Sequence, residues 1–219
     1  MNAIKEITKP AARRRPKEEQ RQAILDAAAE AFFKSGFEGT SVDAIIERVG
    51  GSKRAVYAHF GSKRDLFVAI VTENVEQALA SLESEDLRGH DLRSTLQEFG
   101  CRMLELLTSP KSVALFSMIV GEGRRFPKLA KDFFESGPER ATGRLTKELQ
   151  AHQDRGEIAL ADCRSAAEYF IGMLRGSIQI GVLLGARKAP SRQETEHIVR
   201  DVVNIYLDGI LHMSKGAAE

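Results

Sequence analysis

The chain has 219 residues, a formal net charge of +1, 42% hydrophobic and 29% charged residues, six prolines and two cysteines. That length suits a small binding module beside a larger domain with a sizeable core. The few prolines and the scarcity of alternating β-branched runs argue against a sheet, and two cysteines outside any CxxC pattern, Cys101 and Cys163, argue against a disulfide scaffold.

Residues 1–16 read as a flexible basic arm. Lys5, Lys9, Arg13, Arg14, Arg15 and the adjoining Lys17 surround Pro10 and Pro16, with no apolar stretch long enough for a signal peptide or a membrane span. Such an arm either reaches a neighbouring minor groove or phosphates, or is a solvated tail without a role. A first helix is expected from Lys17 to Ser35, with Ile24, Ala27, Ala28, Ala31 and Phe32 inward. The run from Thr40 to Phe60 then reads as two short helices about a glycine turn. Val42, Ile45, Ile46 and Val49 recur at helical spacing, Thr40 or Ser41 caps the start, Gly50 and Gly51 stop the helix, and Ser52 caps the next. On that next helix Val56 and Phe60 fall together, whereas Arg54, Ala55 and Ala58 lie opposite, with Lys53, Tyr57 and His59 on the flanks. A short helix that is small-sided and carries one arginine outward fits a major groove about 12 Å wide. Ser62-Lys-Arg-Asp65 is a capping box, and it puts the cation Lys63 at a helix start, against the dipole, where a phosphate would compensate it. Residues 1–64 hold thirteen Lys or Arg against eight Asp or Glu, so the remainder is acidic and the basic end is the DNA end.

The run TSVDAIIERVGGSKRAVYAHFGSKRDLFVAI, preceded by AILDAAAEAFFKSGFEGT, resembles the N-terminal DNA-binding domain of TetR-family transcriptional regulators. The matching features are Gly36-Phe37, Thr40-Ser41, Ser52-Lys53, Tyr57-Ala-His-Phe60, and Ser62-Lys63 before Leu66-Phe67. Arg54 and Ala58 depart from the family's usual residues, both on the face assigned to bases, so the operator sequence stays open. Arg54 is the candidate for guanine, and Ala55 and Ala58 for thymine methyls. Thr40, Ser41, Ser52, Lys53, Tyr57, His59 and Lys63 are expected toward the backbone.

Past the helix-turn-helix domain (residues 17–64, motif about 41–60), a connector helix is expected over 65–84, within a helical pattern from Lys63 to Glu83 of roughly 30 Å at about 1.5 Å per residue. Phe67, Val71, Val75, Ala78 and Leu82 repeat along it. The polar segment ESEDLRGHD marks a boundary, and residues 85–214 read as an all-helical regulatory and dimerisation domain before a disordered tail at 215–219. Its expected helices are Asp91 to Leu107, one opened by Pro110, one opened by Pro127 and divided at Gly137-Pro138, and two long ones from Asp162 to Leu184 and Ser191 to Met213.

This part, through LFSMIVGEGRRFPKLAKDFFESGPER, RGEIALAD and FIGMLRGSIQIGVLLG, resembles the C-terminal domain of AefR-type members of the family. The resemblance implies dimerisation and a small-molecule inducer. The last two helices carry more apolar residues than one intrachain face buries, which assigns Ile171, Leu174, Ile178, Val182, Ile198, Val202, Ile205, Tyr206 and Ile210 to a dimer contact. Cys101, Met103, Phe116, Met118, Phe134, Phe170, Met173, Arg175 and Gln179 are candidates for an adaptable cavity, or for ordinary core. Arg175, a charge inside an apolar run, is expected to pair with Glu122 or Glu168, cross the dimer interface, or anchor an acidic ligand.

The five histidines are dispersed without ligand spacing, so no catalytic site, metal or cofactor is expected. The reading is an all-α, cytoplasmic transcriptional regulator, a homodimer that binds a palindromic double-stranded DNA operator and is released by a small-molecule effector, without a membrane partner. A helical regulator lacking an inducer and an all-helical enzyme using the distal cavity are the alternatives.

Overall fold

The computed structural model describes residues 17–50, 52–83 and 91–216. The expected arm at 1–16, Gly51, most of the polar boundary (84–90) and the last three residues lie outside the described residues. Every regular element among those described is a helix: α1 (Lys17–Gly39), α2 (Val42–Val49), α3 (Lys53–Phe60), α4 (Lys63–Glu83), α5 (Leu92–Thr108), α6 (Pro110–Glu122), α7 (Pro127–Ser136), α8 (Pro138–Asp154), α9 (Cys163–Leu183) and α10 (Arg192–Gly216). They divide into two compact units, with the boundary inside α4, after Phe67.

In the first unit, α1 is interrupted at Gly36 (φ 69°, ψ 175°), a conformation that only glycine adopts without strain. The chain turns there, so Phe37 stacks beside Phe32 with centroids 5.7 Å apart, and both rings meet Phe67 of α4, at 5.0 and 5.5 Å. Ile24, Leu25, Ala28, Phe32, Ile45 and Leu66 complete the buried core. Serines set the helix starts. Ser41 Oγ accepts from the Ala44 N–H at 3.1 Å, and Ser52 Oγ from the Ala55 N–H at 3.3 Å. Ser62 accepts from the Asp65 N–H at 3.1 Å and donates its O–H to the Asp65 carboxylate at 2.6 Å, but its own N–H goes to the Phe60 carbonyl at 2.8 Å, so the expected capping box forms only its serine half at the start of α4.

In the second unit α5 packs against α9 and α10, and α8 against α9. Leu96, Phe99, Leu104, Leu145, Leu149, Phe170, Leu174 and Val199 fill the centre. Proline opens α6, α7 and α8 at the first helical turn, where its missing N–H costs nothing, and Gly137-Pro138 divides the seventh helix from the eighth. Asp91 and Asp162 cap α5 and α9, and the N–H and O–H groups of Ser94 and Ser165 hold these carboxyls below the usual carboxylate range. The last helix runs to Gly216, two residues into the stretch expected to be a tail. No single helix among the described residues is long and apolar enough to cross a membrane.

Gly100 of α5 is where the central helices come closest. A Cβ built there would lie 2.7 Å from Val199 Cγ1 and 3.5 Å from both Leu174 and Phe170, all fully buried. Because Val199 is β-branched and enclosed, it has no rotamer to retreat to. Gly100→Ala is expected to destabilise the protein by about 1–3 kcal/mol despite its better helix propensity, measured by urea unfolding. A neutral or stabilising result would show that α5 and α10 separate without cost.

Candidate nucleic-acid interface and distal cavity

An eight-residue helix is too short to hold itself in water, so burial decides which way α3 faces. Val56 and Phe60 are 4% and 8% exposed and anchor one side. Arg54, Tyr57 and Ala58 are exposed on the other, with Ala55 and His59 half-buried between. Arg54 makes no hydrogen bond or ion pair among the described residues, so its guanidinium is presented outward with its full set of donors.

Around it the polar groups differ in readiness. Lys53 Nζ donates to Asp43 of α2 at 2.8 Å, and this bond holds its pKa above the ordinary lysine value. Any phosphate must therefore replace Asp43, an exchange that costs little because both partners are exposed. Ser41 and Ser52 accept from capped N–H groups and retain their own O–H as donors. Thr40 is a correction. It is buried, and its hydroxyl spans to the Ala31 carbonyl at 3.0 Å and the Gly36 carbonyl at 2.8 Å, so it ties the α1–α2 corner together rather than facing a phosphate. Lys63 is half-buried with Nζ 4.4 Å from the centroid of Phe37. The ring face attracts the cation by about 0.5–1 kcal/mol, an internal compensation for its place at a helix start that spacing alone did not reveal.

The basicity of this end is unevenly spread. Residues 17–64 hold eight Lys or Arg against seven Asp or Glu, whereas residues 1–16 hold five against one. Residues 17–64 are therefore nearly neutral in formal charge.

The second unit holds a partly open cavity of about 140 Å³ lined by Val75 and Ala78 of α4, Met103, Leu106 and Leu107 of α5, Ser112, Leu115 and Phe116 of α6, Phe133 of α7, Gly137, Pro138, Ala141 and Thr142 at the start of α8, and Ile171, Arg175 and Gln179 of α9. Of the nine cavity candidates, Met103, Phe116, Arg175 and Gln179 line it. The other five do not. Phe170 is core, with its ring edge-on to Tyr206 at 5.0 Å; Met118 is buried elsewhere; Phe134 and Met173 are exposed; and Cys101 is half-buried away from the cavity wall. Phe133, one position before Phe134, faces the cavity instead. Arg175 pairs with neither Glu122 nor Glu168. Its Nε donates to Gln179 Oε1 at 2.7 Å, and the guanidinium carbon lies 5.8 Å from the Phe116 centroid.

The expected dimer residues also divide. Leu174 is fully buried, and Tyr206 is buried with its hydroxyl donating to the Ala166 carbonyl at 2.9 Å, so both belong to the chain's own core. Ile171 lines the cavity. Ile178, Val182, Ile198 and Val202 are half-buried, Ile205 is exposed, and the side chain of Ile210 lies outside the described residues. Tyr169, Met173 and Ile180 of α9 and Leu184 at its C-cap are exposed apolar residues that were not among the expected dimer contacts.

Among the described residues no group of three His, Cys, Asp or Glu side chains is placed to hold a metal. The buried His152 sits with Nδ1 2.6 Å from Glu157 and Nε2 3.3 Å from Thr95, an internal tie at the end of α8. Burial pushes both cysteine thiols up, Cys101 and Cys163 alike, away from the reactive thiolate.

Residues 24–70 match the family model described as bacterial regulatory proteins of the tetR family, and residues 94–209 match the AefR-like transcriptional repressor C-terminal domain. The HTH-type transcriptional activator FasR of Mycolicibacterium smegmatis is 35% identical over 69 residues, 32% of either chain, so the match spans about a third of that relative. A solved structure described as a TetR-family transcriptional regulator from Mesorhizobium loti superposes with a TM-score of 0.81 at 26% identity, over 89% of this chain and 98% of the other. The flavonoid-responsive regulator FrrA superposes with a TM-score of 0.74 at 29% identity, over 88% and 97%. These relatives are regulators, not enzymes.

Replacing Arg54 with alanine is expected to relax sequence preference at one base pair of a bound duplex, by about 1–3 kcal/mol. Lys63→Ala should instead weaken all duplexes alike and flatten the salt dependence, with a small stability loss from the vacated Phe37 face. Binding isotherms on matched and substituted duplexes at several salt concentrations separate the two. If Arg54→Ala leaves both preference and affinity intact, the outer face of α3 does not read bases.

Proposed function

The chain belongs to the TetR family of transcriptional regulators, and from that premise we propose that it is a repressor that binds a palindromic operator as a homodimer and is released by a small molecule. The observation that carries the reading is Arg54, without a hydrogen bond or ion pair among the described residues, on the exposed side of a helix whose other side is pinned by Val56 and Phe60. In it, Arg54 reads guanine, Ala55 and Ala58 meet thymine methyls, and Ser41, Ser52, Lys53, Tyr57, His59 and Lys63 hold the backbone. Repression follows from the C-terminal match, which covers over half the chain, whereas the shorter match to an activator is confined to about a third of it.

A second copy is favoured by what one chain leaves uncovered. Ile205 of α10 is 65% exposed and continues the half-buried Ile198 and Val202, while Tyr169, Met173 and Ile180 are exposed along α9 and Leu184 at its C-cap. Apolar surface of that kind on the two longest helices of the unit calls for a partner, and an isologous contact supplies one that also repeats α3 for a second half-site. The cavity supports an effector, as does the likeness to a regulator named for its response to flavonoids. Helix α4 contributes Val75 and Ala78 to the cavity wall, and its Phe67 meets Phe32 and Phe37 of α1, so in this reading α4 is the element on which an effector would act. The effector releases DNA only if it prefers the conformation that DNA does not. The protein acts in the cytoplasm, with the DNA.

Selection from a random duplex pool is expected to enrich an inverted repeat with half-sites about one helical turn, roughly 34–36 Å, apart. Sedimentation should give a dimer for the native chain and a monomer, with much weaker operator binding, for Ile205→Glu. A single unrepeated site, or a dimer that survives Ile205→Glu and a companion Tyr169→Glu, would overturn the arrangement.

A further inference from the structure

Arg175 is the one charged residue in the cavity lining among the described residues. A half-buried guanidinium ordinarily finds a carboxylate, because leaving a cation beside apolar walls costs far more than a neutral polar group would. Here the partner is the neutral amide of Gln179, itself buried, and it takes only the Nε–H. The two Nη groups make no hydrogen bond or ion pair among the described residues. Glu168, about two turns earlier on α9, is engaged by Arg164 at 3.2 Å. The Arg175–Gln179 bond also bridges the break in α9 at Gly176 (φ 31°, ψ −144°), which fixes the guanidinium where the helix itself is interrupted. What remains is a pre-oriented end-on fork of donors over the Phe116 ring, facing a space walled by Met103, Leu115, Phe133 and Ile171.

We propose that the effector of this cavity is an organic anion: a small aromatic or short-chain carboxylate whose apolar body fills the space beside Phe116 and Phe133 and whose carboxylate accepts from both Nη groups of Arg175. The inference rests on the cavity being the effector site and adds the ligand's charge and size. Charge follows from the donors, since a planar carboxylate matches the guanidinium fork in two parallel bonds, whereas a neutral body would strip water from the cation and return nothing. Size follows from the volume. A cavity of about 140 Å³ is close to the roughly 150 Å³ apolar cavity that accepts benzene in another protein, so one ring or a chain of similar bulk fills it.

The test uses the full chain with benzoate, phenylacetate and hexanoate, each paired with its primary amide, and reads binding by calorimetry and release of the selected operator. At least one acid is expected to bind about ten- to a hundred-fold more tightly than its amide and to release the duplex. Arg175→Met should erase that difference while the amide's affinity holds or rises, and Arg175→Lys should keep part of it. Operator binding by each variant without ligand reports that it is folded. Amides that match their acids, or an acid preference that survives Arg175→Met, would overturn the anionic assignment and leave the cavity an effector site. Binding by neither member of any pair, with duplex binding normal, would overturn both the ligand class and the effector reading.

Discussion

The seating of Val56 and Phe60 is the contact on which the proposed DNA-facing surface depends. An eight-residue helix has four free N–H groups at one end and four free carbonyls at the other, so its hydrogen bonding alone does not keep it formed. Two buried side chains four residues apart fix its rotation, and Ser52 and Gly61 fix its ends. Once those are set, the placement of Arg54 and Ala58 in solvent is no longer a separate choice. The cost of the arrangement is met behind it, where Phe32, Phe37 and Phe67 contribute the large areas that a small domain needs. Gly36 makes that cluster, because without its positive φ Phe37 would continue along α1 rather than fold back onto Phe32.

The same logic of rotation fixed by burial explains which parts of the chain were readable as sequence. Helix starts were legible because their signals are local: Ser41, Ser52, Ser62, Asp91 and Asp162 each bond within their own first turn, and prolines 110, 127 and 138 each open a helix. The outward face of α3 was legible because only two of its residues are large and apolar. Thr40 was not, since its role depends on two carbonyls, at Ala31 and Gly36, that a turn brings to it. Lys63 was half-readable: the conflict with the helix dipole was plain, but its resolution by Phe37 comes from a residue twenty-six positions earlier and from the break at Gly36.

In the second unit, rotation is ambiguous. Helices α9 and α10 carry apolar residues on several faces, and spacing alone does not say which face meets the chain's own core. Leu174 and Tyr206 went inward and Ile205 outward. The break at Gly176 further shifts the register of α9, so residues before and after it do not extend one ideal helical stripe. Phe133 and Phe134 show how fine the distinction is, since one residue step of about 100° around the helix separates a cavity wall from solvent. A cavity is assembled from six helices, and only the residues with unusual chemistry for their setting, Arg175 and Gln179, announce it in the sequence.

A repressor needs its ligand to distinguish two states of the protein, and the composition of this cavity bears on how much distinction is available. Moving a two-state equilibrium from one side to the other takes about 5.5 kcal/mol of differential affinity. Burying a single ring in an apolar space contributes only a few kcal/mol and does so in any state that keeps the space closed. A fixed cation behaves differently. Its interaction with an anion strengthens steeply as water is excluded, so a modest change in closure around Arg175 alters the ligand's affinity far more than the same change would for an apolar body. In the proposed mechanism, closure around a ligand would act on Val75 and Ala78, the residues that α4 contributes to that wall. In that mechanism, the placement of one guanidinium, with a neutral partner rather than a carboxylate, is what would give so small a cavity leverage on DNA binding.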